Sequence, residues 1–269
     1  MSLLAGKKGI VTGVVNEYSY ATHIVKALQD QKAEVGLTYL PIPPVERRVK
    51  KIAETFNIKF LAPMDAASDE SIQQGFDAIR KEFGHIDFFV HSIAFANMED
   101  LKGRFVNTSR KGFDLALGVS AYSLIPMAKG ASELMKQGGS IITLSYLGGE
   151  RVVPNYNVMG VAKAALECSV KYLAYDLGSQ NIRVNSISAG PQKTLASSVV
   201  GDIDAMLEYA EKISPLKRNV KGSEVGDTAV YLLSDLSSGV TGETIHVDCG
   251  YSIMGAPPAD LAESSAKIN

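Results

Sequence analysis

Short runs of β-branched and aromatic residues, apolar on both faces, alternate with longer amphipathic stretches along almost the whole chain. The runs are GIVTGVV (9–15), EVGLTYL (34–40), IKFLAPM (58–64), IDFFVHSIAF (86–95), SIITLSYL (140–147), IRVNSIS (182–188) and TIHVD (244–248). A strand that is apolar throughout must be covered on both sides, as strands of a parallel sheet are. Helix-patterned segments fill the gaps, near 19–31, 44–56, 68–83, 109–135, 155–177 and 222–235. This alternation predicts an α/β fold, a Rossmann-like, doubly wound parallel sheet of seven strands flanked by helices. The alternation leaves no clear place for a domain boundary, so residues 1–256 are expected to form one domain. The tail 257–269 is Ala- and Ser-rich and is expected to be flexible.

Composition narrows the function classes. A net charge of −2 gives no reason to expect nucleic acid or an anionic membrane as partner. No run of about 18 apolar residues occurs, so no membrane-spanning helix is expected. The first residues, MSLLAGKKGIVTGVV, lack the apolar core and cleavage site of a signal peptide. The two cysteines, Cys168 and Cys249, have no metal-ligand spacing and are expected as buried free thiols. The four histidines sit in no H-x-E or H-E-x-x-H pattern, so no metal site is expected. No G-x-S-x-G elbow is present, which sets hydrolase chemistry aside. Together these features describe a cytoplasmic globular protein.

Two stretches interrupt the rhythm, 96–108 and 189–212, after the fourth and sixth predicted strands. Open α/β sheets keep their ligands at that edge, and long loops there are often lids. The first strand runs into Thr12-Gly13-Val14-Val15-Asn16-Glu17-Tyr18-Ser19. A strand, a glycine turn and a helix N-terminus present free N–H groups to a pyrophosphate. Yet the full G-x-G-x-x-G is absent, and His23 stands where a helix-packing glycine is expected. Asp65, past the third strand, suits either an adenine amino group or the N-cap of the next helix. The second strand ends in Tyr39-Leu40-Pro41, with neither an acid for a ribose hydroxyl nor an arginine for a 2′-phosphate.

The chemistry-bearing stretch is YNVMGVAKAAL, residues 156–166. Six residues separate Tyr156 from Lys163, a spacing of seven or two helical turns, about 10 Å, which places a phenol and an ammonium on one helix face. Val153-Pro154-Asn155 reads as the stop and cap that open this helix. Lys163 on such an apolar, small-residue helix either meets an acceptor such as a ribose hydroxyl or snorkels to the surface. Tyr146, at the end of the fifth predicted strand, faces the same edge. The helix is apolar on more than one side, which suggests a subunit interface as well as a core.

The chain resembles the short-chain dehydrogenase/reductase superfamily and, within it, the bacterial enoyl-acyl-carrier-protein reductases of type II fatty acid synthesis. The resemblance spans residues 2–254 and is carried by VTGV (11–14), HSIAFA (91–96), LSYLGGERVVPNYNVMGVAKAALE (144–167), RVNSISAGP (183–191), TLASS (194–198) and SGVTGETIHVD (238–248). Most superfamily members place tyrosine and lysine four apart; these reductases use Tyr-x6-Lys, as here. The resemblance implies catalytic roles for Tyr146, Tyr156 and Lys163. It places Gly13, Ser19 and Tyr20 at the pyrophosphate and ribose, Leu40 beside the adenosine ribose, and Asp65 with Ala66 at the adenine. It sets Ile93 and Ala94 along the cofactor, and Gln192, Lys193, Thr194, Leu195 and Ala196 in a loop over the nicotinamide. Ala96 and Met159 correspond to positions against the acyl substrate.

The implied reaction is NADH-dependent reduction of the trans-2 double bond of an enoyl thioester on acyl carrier protein. Leu40 is not the basic residue of NADPH-preferring members, so NAD/NADH is expected rather than NADPH. Loop 191–212 is expected to cover the substrate, and the assembly to be a homotetramer. Departures from the family pattern are His23 for glycine, Gln192 for isoleucine, Lys193 for arginine and Cys249 for glycine. Two rivals compete: a keto- or alcohol-type dehydrogenase, which would want Tyr-x3-Lys although residue 160 is glycine, and a non-catalytic nucleotide sensor, suggested by His23.

Overall fold

A computed structural model describes residues 2–193 and 203–256. In chain order the elements are β1 (Lys8–Val11), α1 (Tyr20–Asp30), β2 (Glu34–Tyr39), α2 (Pro43–Thr55), β3 (Leu61–Pro63), α3 (Asp69–Phe83), β4 (Phe88–His91) and α4 (Met98–Leu101). There follow α5 (Arg110–Leu117), α6 (Leu124–Ser132), β5 (Gly139–Ser145), α7 (Asn157–Gly178), β6 (Ile182–Ala189), α8 (Ile203–Ile213), α9 (Gly222–Leu233) and β7 (Thr244–Val247). Among the described residues seven strands form one sheet in the order β3-β2-β1-β4-β5-β6-β7. Every strand pair is parallel. The predicted doubly wound sheet is therefore observed.

Successive strand residues point to opposite faces. Val11, Phe88 and Ile142 enter one apolar core with α1, α2 and α9. Their neighbours Ile10, Phe89 and Ile141 enter a second core with α3, α6 and α7. Both faces are covered, which is why the strand segments read as continuous apolar runs. Strand order reverses between β1 and β4, so a crevice opens beyond their carboxyl ends, above Gly13 and Ser92.

Several local expectations change. The first apolar run continues to Val15, but the strand ends at Val11, because Gly13 turns the chain with φ +75. The segment 109–135 is not one helix. A π turn, Gly118–Tyr122, separates α5 from α6. Serines account for it: Ser120 Oγ is bonded to both Phe95 N and Phe95 O, and Ser123 Oγ donates to Val119 O at 2.7 Å. Such hydroxyls compete with the helical ladder. Asp65 is not the N-cap of α3; Ser68 is, accepting from Ser71 N, while Asp65 Oδ1 accepts from Ala67 N inside the preceding turn. Nor does Asn155 cap α7: it adopts φ 62, and Tyr156 takes the cap position.

His23, standing where a helix-packing glycine is expected, is accommodated away from the sheet. Its imidazole lies against α9, where a Cβ at Gly222 would overlap the ring, so the bulk is absorbed between α1 and α9 rather than against the sheet. Cys249 is half-buried and holds φ 59, a conformation that favours the glycine of the family pattern. Cys168 is a free thiol as expected, but exposed rather than buried. It shares the open side of α7 with Tyr172 and Tyr175, which are 71% and 86% exposed.

Candidate active site

The glycine turn and the tyrosine–lysine stretch meet at one sheet edge. At the crevice, a Cβ on Gly13 would overlap the carbonyl of Ser92, so only glycine lets β1 pass β4 this closely. Asn16 orders the turn, its Oδ1 accepting from Tyr18 N at 2.8 Å and its carbonyl accepting from Ser19 Oγ at 3.0 Å. Ser19 in turn caps α1 by accepting from Thr22 N. The Nδ2 of Asn16 is buried and, among the described residues, has no hydrogen-bond partner. A buried donor left open beside a helix N-terminus suits an anionic group. The phenol of Tyr20 donates to Gly190 O at 2.8 Å, tying α1 to the end of β6.

Leu40 is part-exposed at the end of β2, and Asp65 and Ala66 are half-buried past β3. Ile93 and Ala94 follow β4, next to Ser92. These positions line the same sheet edge. Gln192 Nε2 donates to Tyr18 O at 3.2 Å, and Lys193 pairs with Asp204 of α8 at 2.7 Å, in solvent. Thr194, Leu195 and Ala196 lie outside the described residues, as do part of the 191–212 loop and the tail 257–269.

On the other side of the crevice β5 ends at Ser145, and Tyr146 continues in extended conformation with φ −154. Its ring stands edge-on to Tyr156, with centroids 4.9 Å apart at 70°. Gly148, in the turn between them, leaves room for the Tyr156 ring; a Cβ there would overlap it. Burial raises both phenols well above their ordinary value, for Tyr156 with added contributions from Tyr146 and Glu167. Both are thus neutral donors at neutral pH. The Tyr146 hydroxyl points at Met206 Sδ of α8, 3.6 Å away.

Lys163 is only 5% exposed, so it does not snorkel. Its ammonium donates to Leu144 O at 2.6 Å. Burial lowers its pKa to about 8, against the opposing charge of Glu167. Met159 and Ala96 meet in a small apolar cluster with Leu101, Ala116, Val158 and Ala162, and Tyr156 borders it. The structure thus brings together Tyr146, Tyr156 and Lys163, with Ala96 and Met159 alongside.

Two further polar side chains, not singled out from the sequence, lie near Lys163. His91, fully buried, bridges Thr143 Oγ1 at 3.0 Å and Ser123 Oγ at 2.8 Å, and burial holds its pKa down at about 3. Glu167, one turn past Lys163, accepts from Ser145 Oγ. The only sequence signal for Glu167 was its i+4 spacing from the lysine.

An open parallel sheet binds ligands where its strand order reverses, and proton donors with a titratable lysine stand at that point. The class so defined is a dinucleotide-dependent oxidoreductase of the short-chain dehydrogenase type. Comparison with known proteins sharpens this. The family model described as enoyl-(acyl carrier protein) reductase matches residues 13–252. The chain is 53% identical over 254 residues, 94% of its length and 98% of the relative's, to an enoyl-(acyl-carrier-protein) reductase (NADH) from Nostoc. It is 52% identical over 257 residues to the Bacillus cereus reductase of the same description, covering 95% of this chain and all of that one. The crystal structure of the Anaplasma phagocytophilum reductase in complex with NAD is similar at TM-score 0.91 and 49% identity, covering 96% of both chains. That of the Bacillus cereus reductase with NADP+ and an indole naphthyridinone is similar at TM-score 0.93. The chain belongs to the enoyl-(acyl carrier protein) reductase family.

Proposed function

We propose that this protein reduces the trans-2 double bond of an enoyl thioester carried on acyl carrier protein, with NADH as reductant. The observation that carries the reading is the edge-on pair Tyr146–Tyr156 beside buried Lys163, at the Tyr-x6-Lys spacing of the family. The open Asn16 donor, the Gly13 turn and the capped α1 N-terminus suit the pyrophosphate of a dinucleotide. Lys163 is the residue for the nicotinamide ribose, Leu40 for the adenosine ribose, and Asp65 and Ala66 for the adenine. NADH, when bound, supplies the hydride that adds to C3 of the thioester.

The chain's own residues handle the charge that results. As the double bond takes up electrons, negative charge grows on the thioester oxygen. The neutral Tyr156 phenol donates a hydrogen bond to that oxygen, a contact made mainly in the transition state and worth about 3 kcal/mol of barrier. Tyr146 orients the thioester and excludes water from its side of the cleft. Lys163 keeps a positive charge nearby in a low-dielectric setting, where it acts strongly. Ala96 and Met159, in their apolar cluster, receive the acyl chain.

Loop 191–212 covers this site in the proposed cycle, since α8 already reaches the Tyr146 hydroxyl and Gln192 is tied to Tyr18. The working assembly is a homotetramer joined in part through the open face of α7. Among the described residues no helix is long and apolar enough to cross a membrane. The test is NADH oxidation with a trans-2-enoyl thioester against a 3-keto thioester. Turnover of the first alone is expected. Turnover of the keto substrate alone would make the protein a keto-type dehydrogenase, and turnover of neither would leave a nucleotide sensor.

A further inference from the structure

Helix α7 grips the last residues of β5 at two points, one turn apart. Lys163 Nζ donates to Leu144 O at 2.6 Å, and the Glu167 carboxylate accepts from Ser145 Oγ. The next residue is Tyr146. We propose that Glu167 is a positioning residue for the reaction: it fixes the strand end that presents Tyr146 to Tyr156, and it keeps the Lys163 ammonium charged. The proposal rests on the reductase reading above and deepens it.

The geometry supports both parts. Lys163 and Glu167 are i and i+4 on one helix, so their side chains share a face. The tether to Ser145 ends one peptide unit from the Tyr146 Cα, so slack there moves a phenol that must sit edge-on to its partner. The turn after β5 packs directly on the carboxylate, since a Cβ at Gly149 would stand 3.1 Å from Glu167 Oε1. Every element around Glu167 contributes a group. Ser145 comes from β5, Glu150 from the following turn, His246 from β7 and Lys163 from α7 itself. Burial and the Glu150 charge raise the Glu167 carboxyl above its usual range, while Ser145, His246 and Lys163 work against the rise. His246 Nε2 sits 2.6 Å from Glu150 Oε1 at the solvent side, so this pair moderates the second carboxylate.

Lys163 titrates near 8 even with Glu167 favouring its charged form. Removing the Glu167 charge leaves desolvation unopposed, and the lysine must then lose its proton at lower pH. A carboxylate that acted only through its hydrogen bond to Ser145 would leave this titration in place.

The experiment separates charge from tether. Glu167→Gln keeps the length and an acceptor for Ser145 but loses the charge; Ser145→Ala keeps the charge and loses the tether. NADH binding, followed by the rise in nicotinamide fluorescence, is titrated from pH 6 to 10 in each variant. The midpoint at which binding weakens is expected to fall by about one pH unit in Glu167→Gln and to stay in place in Ser145→Ala. Ser145→Ala should instead lower kcat/KM for the enoyl thioester several-fold at every pH. Glu167→Asp, which restores the charge, should restore the wild-type midpoint. An unchanged midpoint in Glu167→Gln, or unchanged kinetics in Ser145→Ala, overturns the corresponding half of the proposal. Ser145→Ala removes one hydroxyl only, so the proposal stays open to refutation even if Glu167→Gln fails to fold. Wild-type protein in the same assay reports separately on the reductase reading: if it neither binds NADH nor turns over, that reading fails first.

Discussion

Burying Lys163 has a thermodynamic cost that can be measured apart from activity. The ordinary lysine value is 10.5, and burial brings Lys163 to about 8. Below pH 8 both folded and unfolded chains hold the proton, and the folded state bears the whole penalty. As pH rises from 8 to 10.5 the folded chain releases the proton first, so the penalty is relieved and stability increases. The gap corresponds to about 3 kcal/mol. Lys163→Met keeps the length of the side chain and removes the charge. It also leaves Leu144 O without its donor, at a cost of about 1–3 kcal/mol at every pH. The two effects oppose each other near pH 7, so the variant should lie close to wild type there despite losing NADH binding. At pH 10.5 only the lost hydrogen bond remains, and wild type should be the more stable. Urea unfolding at pH 7, 8, 9 and 10, at one fixed protein concentration, gives the difference between the two proteins. Other titrating groups cancel in that difference. It should change by about 3 kcal/mol in favour of wild type across the range. A difference constant to within about 1 kcal/mol would mean that Lys163 is not desolvated, and the account of its charge would fall.

Tyr156→Phe should lower kcat by about 10²-fold with little change in KM, whereas Tyr146→Phe should mainly raise KM; steady-state kinetics with one enoyl thioester at saturating NADH decides between this and the reverse assignment. His91 is neutral in the fold and titrates near 3, so the protonation its unfolded form gains below 6.5 destabilises the protein as pH falls. Unfolding at pH 7 and 5 should show a loss of about 2 kcal/mol that shrinks in His91→Gln, and an equal loss in both proteins would refute it. Sedimentation at micromolar protein should give a homotetramer, and Tyr172→Glu combined with Tyr175→Glu should shift it to smaller species; a monomeric wild type would contradict the interface.

The sequence was most legible where one physical signal dominates. Runs such as SIITLSYL are apolar on both faces because β5 is buried between two helical layers, and the observed strand spans Gly139–Ser145. Ends were less legible, because apolar character outlasts the hydrogen-bonded ladder. The run 9–15 carries Val14 into the core beyond the end of β1. Asp65 suited either an adenine contact or a cap, and the path of the turn gives the cap to Ser68, three residues on. The π turn 118–122 depends on serines bonding to Phe95 and Val119, contacts that no periodicity reports. Tyr156 and Lys163 were visible through their spacing and their resemblance to a family. Glu167 and His91 were not, since their importance comes from which strand faces which helix. Thr194, Leu195 and Ala196 remain expectations drawn from that resemblance.

The seven-residue gap itself has a structural reason. Tyr156 is not inside α7 but at its cap, with φ −106, so its ring leaves the helix mouth and meets Tyr146. Gly148 and Gly160 clear the space: a Cβ at Gly148 would overlap the ring, and one at Gly160 would come within 2.7 Å of Gly148 O. A phenol four residues before the lysine would instead occupy position 159. That position holds Met159, 6% exposed, inside the apolar cluster with Ala96, Leu101 and Ala116. A tyrosine there would bring a hydroxyl among the apolar side chains of that cluster, which is costly unless it finds an acceptor. Moving the phenol back one turn keeps Lys163 in place, leaves that slot apolar and adaptable, and lets a second tyrosine approach from β5. The spacing therefore separates two tasks that a closer pair would crowd together: hydrogen bonding to a polar head and packing against an apolar chain.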